Sequence, residues 1–535
     1  MLGAAAIVVV AAVLPMWPAL SAGFVADDFF FAARYRDDAQ GLAAFLRGAF
    51  MGAGDATTTF YRPLAFASLW IETRVWRDAA FAMHVSQVLL HAAVAFGIWR
   101  LGVRCAGSPG AVTGATLAVV LFAAFPRRVE AVAWVSCRPD LLAAALAVAM
   151  LVAWLAALRA TSVHAPAGRA AGRAWVPPAA GAAVLWGLSL LAKESTLALP
   201  LALLAWRGPD AARTSIRERA RLLVPFAIVG LAYLGLRRFA LGAFVGGYGE
   251  AAVVPSLASF GRALRYVAYL VVPPLEGFDA LLERRVGQAA VAAFVFGVVV
   301  LLSRVAWTAR ASAAVSCGAW WLAAALLPVF MLPISLTTTF NDRLLYLPGI
   351  GLALVLAGAL ARASRAWVAG LAVLACLSAA ATHRTATRWQ AAGEATARLS
   401  GQLAVQLQTV PAGTDVVLAA VPDSYRGAYM LRNGVAEALV YHATPASQPL
   451  RVASVYFVNR FDETPVRAGT TSDGRLRVTG RDGRREVLPT AAVSEAGRVV
   501  EGPPDRYGRY ASMEVVVPAA SAVFVLTPAG VERVR

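Results

Sequence analysis

Long apolar stretches recur from Met1 to about Thr382 and constrain the fold of this sequence more than any other feature. Runs of about 17–25 apolar residues cross a hydrocarbon core roughly 30 Å thick. Because the 535 residues are 59% hydrophobic and only 15% charged, the bilayer must be the main solvent. We therefore predict a mainly α-helical, polytopic membrane bundle. It has eleven spans, at about 3–20, 82–100, 111–126, 138–158, 175–192, 195–206, 222–239, 286–303, 312–333, 344–361 and 366–382.

The basic residues indicate how these spans are oriented. The formal net charge of +18 would suit a nucleic-acid partner, but in a membrane chain the side on which Lys and Arg lie is more informative. With the N-terminus inside, the inner connections are rich in arginine and only Asp210 and Glu218 oppose that charge. This positive-inside pattern makes the basic excess a topology signal and argues against nucleic-acid binding. Span 195–206 is short, so the number of spans depends on it.

The first apolar run has a second interpretation. The sequence Ala19-Leu-Ser-Ala-Gly23 is similar to a cleavage site, so residues 3–20 could instead form a secretory signal peptide. Such peptides usually start with positive charge, which this run lacks. We therefore expect a retained span.

The chain becomes more polar from about Gln402 onward, which predicts a soluble domain. We place the membrane domain at 1–390 and the second domain at 402–535, outside the membrane because the number of spans is odd. Alternating or β-branched segments predict a small α/β piece followed by a β-rich module, with one helix after Asn433. The predicted strands lie at 414–421, 451–459, 475–479, 485–488, 513–517 and 522–526.

An acidic pair follows the first span, in the sequence Phe24-Val-Ala-Asp27-Asp28. Paired carboxylates at the mouth of a membrane span are costly unless they are solvated or used. If the segment is helical, adjacent residues point about 100° apart, so one carboxylate faces a site while its neighbour hydrogen-bonds locally. The pair is a candidate general base, and a solvated helix end is the alternative.

Further charged residues fall on the same predicted outer side. Arginine suits phosphate because its fork of donors matches phosphate oxygens and stays charged at low dielectric. Each residue also has a plainer role, such as an interfacial anchor for Arg62 or an ordinary salt bridge for Glu130 or Asp140. Their shared side favours one outer cavity. These candidates are Arg62, Glu130, Arg138, Asp140, Lys193, Glu194 and Arg343.

Metal ligands are not evident in the sequence. His84 and His91 lie seven residues apart on one helical face, and with no third ligand near them we interpret them as packing or hydrogen-bonding residues. The four cysteines are scattered, so neither a metal site nor a disulfide framework is predicted. No cofactor is required. A divalent metal has room beside Asp27 or Asp28, but no dense cluster of oxygen ligands requires one.

An ordered series of segments resembles the GT-C superfamily of polyprenyl-phosphate-sugar glycosyltransferases. The resemblance is closest to the transmembrane O-mannosyltransferase branch that usually carries tetratricopeptide repeats, and it covers most of residues 15–390. Each segment is weak alone, and their order is more specific. The segments are Phe24-Val-Ala-Asp27-Asp28, Tyr61-Arg-Pro-Leu64, His84 to His91, Pro126 to Val132, Arg138-Pro-Asp140-Leu-Leu, Lys193-Glu194 and Arg343-Leu-Leu-Tyr346-Leu-Pro.

This resemblance implies a reaction and residue roles. In such enzymes a carboxylate of the acidic pair deprotonates or orients the acceptor hydroxyl, and basic residues hold the lipid phosphate. Asp27 is then the first choice for the base and Asp28 the second. Arg62, Arg138, Lys193 and Arg343 are the phosphate candidates. A single displacement would invert the anomeric carbon. The donor is a polyprenyl-phosphate sugar, with mannose only the family's suggestion, and the acceptor is a protein or glycan.

The sequence also departs from that family. After the last span there is no 34-residue helical repeat of the tetratricopeptide kind. The C-terminal domain is therefore expected either to bind an acceptor or partner or to act as a stabilising cap. A lipid-linked sugar transporter is the main alternative function, although no related halves are visible. A non-enzymatic scaffold is the third. The Ala- and Arg-rich composition suggests a GC-rich bacterial genome and hence the inner membrane.

Overall fold

The computed structural model describes most of the chain. The described residues are 1–36, 38–52, 60–76, 80–163, 176–205, 215–244, 257–275, 284–310, 312–411, 413–442, 452–454, 456–458, 467–480, 487–489, 498–500, 510–517 and 521–534. Parts of the predicted spans and strands, such as 206, 455 and 485–486, lie outside them.

Helices dominate the chain as far as residue 407, as the apolar pattern predicts. In chain order they are α1 (Leu2–Val13), α2 (Asp28–Arg36), α3 (Leu42–Met51), α4 (Pro63–Trp76), α5 (Ala80–Ala106), α6 (Ala111–Ala123), α7 (Val129–Ala133), α8 (Arg138–Val163), α9 (Val176–Ala192), α10 (Leu199–Leu204), α11 (Ile216–Leu222), α12 (Val224–Leu241), α13 (Leu257–Tyr269), α14 (Arg285–Thr308), α15 (Ala313–Leu326), α16 (Tyr346–Leu360) and α17 (Arg365–Leu407). Short 3₁₀ turns precede or follow several of them, among them Leu14–Ser21, Pro126–Arg128, Glu194–Thr196 and Asp342–Leu345.

This is a multi-pass membrane protein, and the predicted helical membrane bundle is confirmed. Within the described residues, seven helices are long and apolar enough to cross a membrane, or eight if the bent pair Ala111–Ala123 and Pro126–Ala133 forms one span. The predicted number of eleven is higher. Three predicted spans correspond to shorter apolar helices, at Pro177–Ala192, Glu194–Leu204 and Ala313–Leu326. Lys193 and Glu194 separate the first two of these, because an extended Lys193 backbone interrupts the helical hydrogen bonding there.

The chain divides into two compact units, which we describe separately. The first unit comprises Met1–Trp17, Ala39–Glu72 and Met83–Ala386. The second comprises Pro18–Asp38, Thr73–Ala82 and Thr387–Arg535. Helix α17 is continuous through the predicted domain boundary at 390–402. The domain boundary itself stays a prediction.

Small residues allow close helix packing in the first unit. Helices α15 and α16 approach at Gly318 and Gly351, each of which faces the backbone of the other helix. A Cβ atom added at Gly318 would overlap the Gly351 carbonyl oxygen and lie 2.6 Å from the Val355 nitrogen. In a lipid solvent such close backbone contact supplies packing energy that the hydrophobic effect between helices does not.

The described residues of the second unit form four small sheets. The strands are β1 (Val416–Ala419), β2 (Val421–Pro422), β3 (Ser424–Tyr425), β4 (Ala428–Tyr429), β5 (Val452–Ser454), β6 (Tyr456–Val458), β7 (Arg467–Thr470), β8 (Leu476–Thr479), β9 (Val487–Pro489), β10 (Arg498–Val500), β11 (Ser512–Val515), β12 (Ala522–Thr527) and β13 (Gly530–Arg533). A four-stranded sheet has the order β13-β12-β1-β5, in which β1 is parallel to β12 and β5. The other sheets have the orders β10-β11-β8-β7, β2-β6-β9 and β3-β4.

The α/β and β-rich character predicted for the C-terminal region is confirmed. The predicted helix after Asn433 is α18 (Val435–His442). The parallel strands β1 and β12 lie in segments that were predicted to be strands. A common core joins buried residues of β1, β8, β11 and β12, including Val417, Val478, Met513 and Val523. Strand pairs as short as two residues, such as β3 and β4, were not predicted because they show no periodicity.

The glycine contact between α15 and α16 makes a prediction about stability. We expect Gly318→Ala to lower the free energy of unfolding by about 1–3 kcal/mol, because the backbone of α16 must shift. The matched control Gly297→Ala lies in α14 with no atom within 4 Å of its new Cβ and should be neutral or stabilising by up to about 1 kcal/mol. Thermal unfolding in detergent measures both, and equal effects of the two substitutions would contradict this packing account.

Candidate functional site

A buried ion pair joins the segment after α6 to the turn before α16. The Nη1 atom of Arg127 lies 2.5 Å from Oδ1 of Asp342, and both side chains are fully buried. Arg127 also donates to three backbone carbonyls, those of Val272 at 2.7 Å, Ser335 at 3.0 Å and Leu336 at 3.1 Å. One guanidinium therefore ties three separate backbone segments together.

Two further residues of the same segment hold the same turn. The Nη1 atom of Arg128 donates to the Leu345 carbonyl at 2.7 Å. Glu130 accepts from Nη1 of Arg343 at 2.6 Å and from its backbone N–H at 2.7 Å. We call the contacts of Arg127, Arg128 and Glu130 with Asp342–Leu345 the clamp. The clamp fixes both the backbone and the side chain of Arg343.

Lys193 forms the second ion pair of this region. Its Nζ atom lies 2.5 Å from Oδ1 of Asp140, which stands in the first turn of α8. The Lys193 side chain is only 3% exposed, so its charge is held by a carboxylate in a region that contains little water. The lysine has an extended backbone and follows α9, whose end it marks.

A cleft brings Lys193 and Arg343 together. Its lining residues are Asp140, Lys193, Ser195, Ala325, Val329, Arg343, Leu344, Leu347 and Pro348. The cleft is narrow and partly open to solvent. Two cations and one carboxylate thus share one small site whose other lining residues are apolar except Ser195, although Asp140 and Arg343 are 203 residues apart in sequence.

The remaining candidates form ion pairs elsewhere in the first unit. Arg62 makes a two-point contact with Glu194, with Nε to Oε2 at 3.0 Å and Nη2 to Oε1 at 2.5 Å. Arg138 makes a similar contact with Glu72, at 2.7 and 2.8 Å, and its Nε atom donates to Gln87 at 2.5 Å. Sequence reasoning missed Glu72. The only signal for it was a carboxylate in an apolar helix, where a buried partner is expected.

The two predicted histidines act as hydrogen-bonding residues between helices, as expected. His84 Nε2 lies 3.0 Å from the Ala133 carbonyl oxygen. His91 contacts the Tyr346 hydroxyl at 2.7 Å through Nδ1 and the Ala123 carbonyl at 3.1 Å through Nε2. Among the described residues, no group of three or more His, Cys, Asp or Glu side chains is arranged to hold a metal ion. Independence of a divalent metal stays a prediction.

The acidic pair belongs to the second unit. Asp28 is buried at the start of α2, where its Oδ2 accepts the Val25 N–H at 3.2 Å and its own N–H donates to the Val25 carbonyl at 3.0 Å. The side chain of Asp27 is half-buried. The Asp28 carboxylate therefore hydrogen-bonds locally, as predicted for one member of the pair. That the other carboxylate faces a site stays a prediction. The role of either residue as a base stays a prediction.

Comparison with known proteins gives one structural similarity. No protein-family model matches the chain, and no curated protein matches it. The crystal structure of ArnT from Cupriavidus metallidurans bound to undecaprenyl phosphate is similar, with a TM-score of 0.45 and 15% sequence identity over 82% of this chain and 86% of that one. Similarity at this level assigns no activity or ligand to this chain. The O-mannosyltransferase branch also stays a prediction.

The clamp makes a prediction about stability. We expect Arg127→Met to lower the free energy of unfolding by about 3–5 kcal/mol, because it leaves the Asp342 carboxylate and three carbonyls without their buried donor. The control Arg304→Met removes an exposed arginine of α14 and should change stability by less than about 0.5 kcal/mol. Denaturant titration in mixed micelles compares the two. A difference below about 1 kcal/mol would show that the clamp does not stabilise the fold.

Proposed function

We propose that this protein is a membrane glycosyltransferase that transfers a sugar from a polyprenyl-phosphate donor to an acceptor hydroxyl. The observation that carries the proposal is the cleft in which Lys193 and Arg343 meet. A lysine and an arginine on one buried surface are the donors that bind phosphate most readily in proteins.

The carboxylate partners support this interpretation. A lone cation in a region of low dielectric would be costly, whereas Asp140 and Glu130 form ion pairs with Lys193 and Arg343 and hold them in fixed positions. Fixed cations stabilise the charge of a departing phosphate without reorganising during the reaction. The ion pairs are therefore compatible with both roles that the sequence left open, structural pairing and phosphate contact.

The lining of the cleft indicates which part of the donor it accepts. Lys193 and Arg343 supply two cations within it, which suit a phosphate group. The apolar residues Ala325, Val329 and Leu347 on its wall suit the adjoining lipid.

The proposed reaction is a single displacement. A base removes the proton from the acceptor hydroxyl as its oxygen bonds to the anomeric carbon, and the bond from that carbon to the phosphate oxygen breaks with inversion. The electron pair and negative charge of the broken bond leave with the polyprenyl phosphate. Asp27 is the proposed base, supported by the sequence resemblance. Mannose, the extracytoplasmic side and a bacterial inner membrane are further parts of the proposal.

The first test is sugar transfer by the purified full chain in lipid nanodiscs, with a panel of radiolabelled polyprenyl-phosphate sugars. We expect the native protein to transfer sugar from at least one donor. Asp27→Asn should lower kcat by roughly 10²–10⁴-fold, the usual contribution of a general base. Lys193→Met and Arg343→Met should each lower kcat/KM at least about tenfold, a loss of roughly 1.4 kcal/mol of transition-state stabilisation.

Arg100→Met provides the matched control, because Arg100 is an exposed arginine of α5. It should retain native activity. If Lys193→Met and Arg343→Met fold and transfer sugar as well as Arg100→Met does, the cleft is not the phosphate site. No transfer from any donor, together with flipping of the lipid-linked sugar, would replace the enzyme by a transporter. No transfer and no flipping would favour a scaffold.

A further inference from the structure

The loop that carries the acidic pair is held by a backbone contact within the second unit. The Ala26 N–H donates to the Met430 carbonyl at 2.7 Å. Ala26 has a φ of 46°, in the left-handed region that residues with a Cβ atom rarely adopt. A residue persists in this conformation only when its surroundings hold it there. Met430 supplies part of that restraint one residue before Asp27.

Gly434 makes this approach possible. Its φ of 79° suits glycine, and a Cβ atom at this position would lie 2.5 Å from the Ala26 carbonyl oxygen. A second glycine, Gly393 in α17, faces the preceding residues in the same way, because an added Cβ would overlap the Ala22 carbonyl oxygen. Two glycines of the C-terminal part of the unit therefore form the surface on which residues 22–26 rest.

An aromatic cluster fixes the other side of the loop. The Tyr441 ring lies 5.7 Å from that of Phe24 and 5.6 Å from that of Phe29, both edge-on. Arg36 donates to the Tyr441 carbonyl at 3.0 Å. Burial and the nearby Arg36 lower the pKa of His442, whose imidazole lies 6.0 Å from the Phe29 ring. The cluster thus joins α18 to both ends of the acidic segment.

We propose that the C-terminal part of the second unit sets the position of the Asp27 carboxylate, with Gly434 and Tyr441 as positioning residues. The inference rests on the proposed function, in which Asp27 is the base. It gives the C-terminal region a role that the sequence left open between acceptor binding and a stabilising cap. Displacing a catalytic group by about 1 Å can cost on the order of 10²-fold in rate, so a loop held from outside is a sensitive point.

Gly434→Ala tests the proposal in the full chain in nanodiscs. We expect the new Cβ to push Ala26 away, so that kcat falls at least about tenfold while KM for the lipid donor changes less than about twofold. The matched control is Gly413→Ala, because Gly413 has the same φ of 79° but no atom within 4 Å of an added Cβ. The backbone strain is then equal, and only the contact with the loop differs.

Hydrogen exchange of the peptide that contains residues 22–30 gives a readout independent of activity. The Ala26 amide should exchange faster in Gly434→Ala than in Gly413→Ala, because its bond to Met430 is broken. A second pair of variants, both at Tyr441, distinguishes loss of the aromatic contact from misfolding of the protein. Tyr441→Ala should lower kcat by a similar factor, whereas Tyr441→Phe, which keeps the ring, should retain native kcat.

The outcomes separate this proposal from the proposed function. The proposal is overturned if the Gly434→Ala and Gly413→Ala variants show the same hydrogen exchange in residues 22–30 and the same kcat. The position of the loop would then not depend on Gly434. Faster exchange with unchanged kcat would also overturn it, since the loop position would not matter for transfer. If the native chain transfers no sugar, the proposed function fails together with the kinetic part, and exchange alone still decides whether Gly434 holds the loop.

Discussion

The interaction on which the first unit most depends is the buried pair of Arg127 and Asp342. A guanidinium with no solvent contact is costly in a membrane bundle unless its charge and its donors are satisfied. Arg127 meets this requirement with one carboxylate and three carbonyls, so the segments that supply them must lie where the arginine reaches. The clamp thereby fixes the turn that begins α16, and Arg343 projects from that turn. The candidate phosphate site is a consequence of this structural constraint.

Much of the fold follows from patterns that a sequence displays directly. Apolar length predicts the long helices, and alternation predicts strands such as β8 and β12. The length of an apolar run alone does not distinguish a full membrane span from a shorter helix such as α15. For this reason eleven spans were predicted, whereas seven or eight of the described helices are long enough to cross a membrane. Pairings between distant segments, such as β1 with β12, depend on tertiary packing that no local pattern records.

The candidate site was predictable in part because some of its residues are visible in local sequence patterns. Charged residues inside apolar stretches are rare enough to attract notice, which identified Lys193, Glu130 and Arg343. Their partners were harder to assign, since Asp140 pairs with Lys193 and Glu194 with Arg62, across 53 and 132 residues. Glu72 and the role of Arg127 were missed because a salt bridge across the bundle leaves no spacing in the sequence. Glycines 393 and 434 carry no signal until the backbone that they approach is known.

The most direct test of the account is a structure of the full chain in a lipid nanodisc with undecaprenyl phosphate as the probe. We expect the phosphate in the cleft, with its oxygens within about 3.2 Å of Lys193 Nζ and the Arg343 guanidinium while Glu130 still holds Arg343. A phosphate bound away from both cations, with the Lys193 and Arg343 ion pairs unchanged, would contradict the account. The cleft would then be a structural element of the bundle.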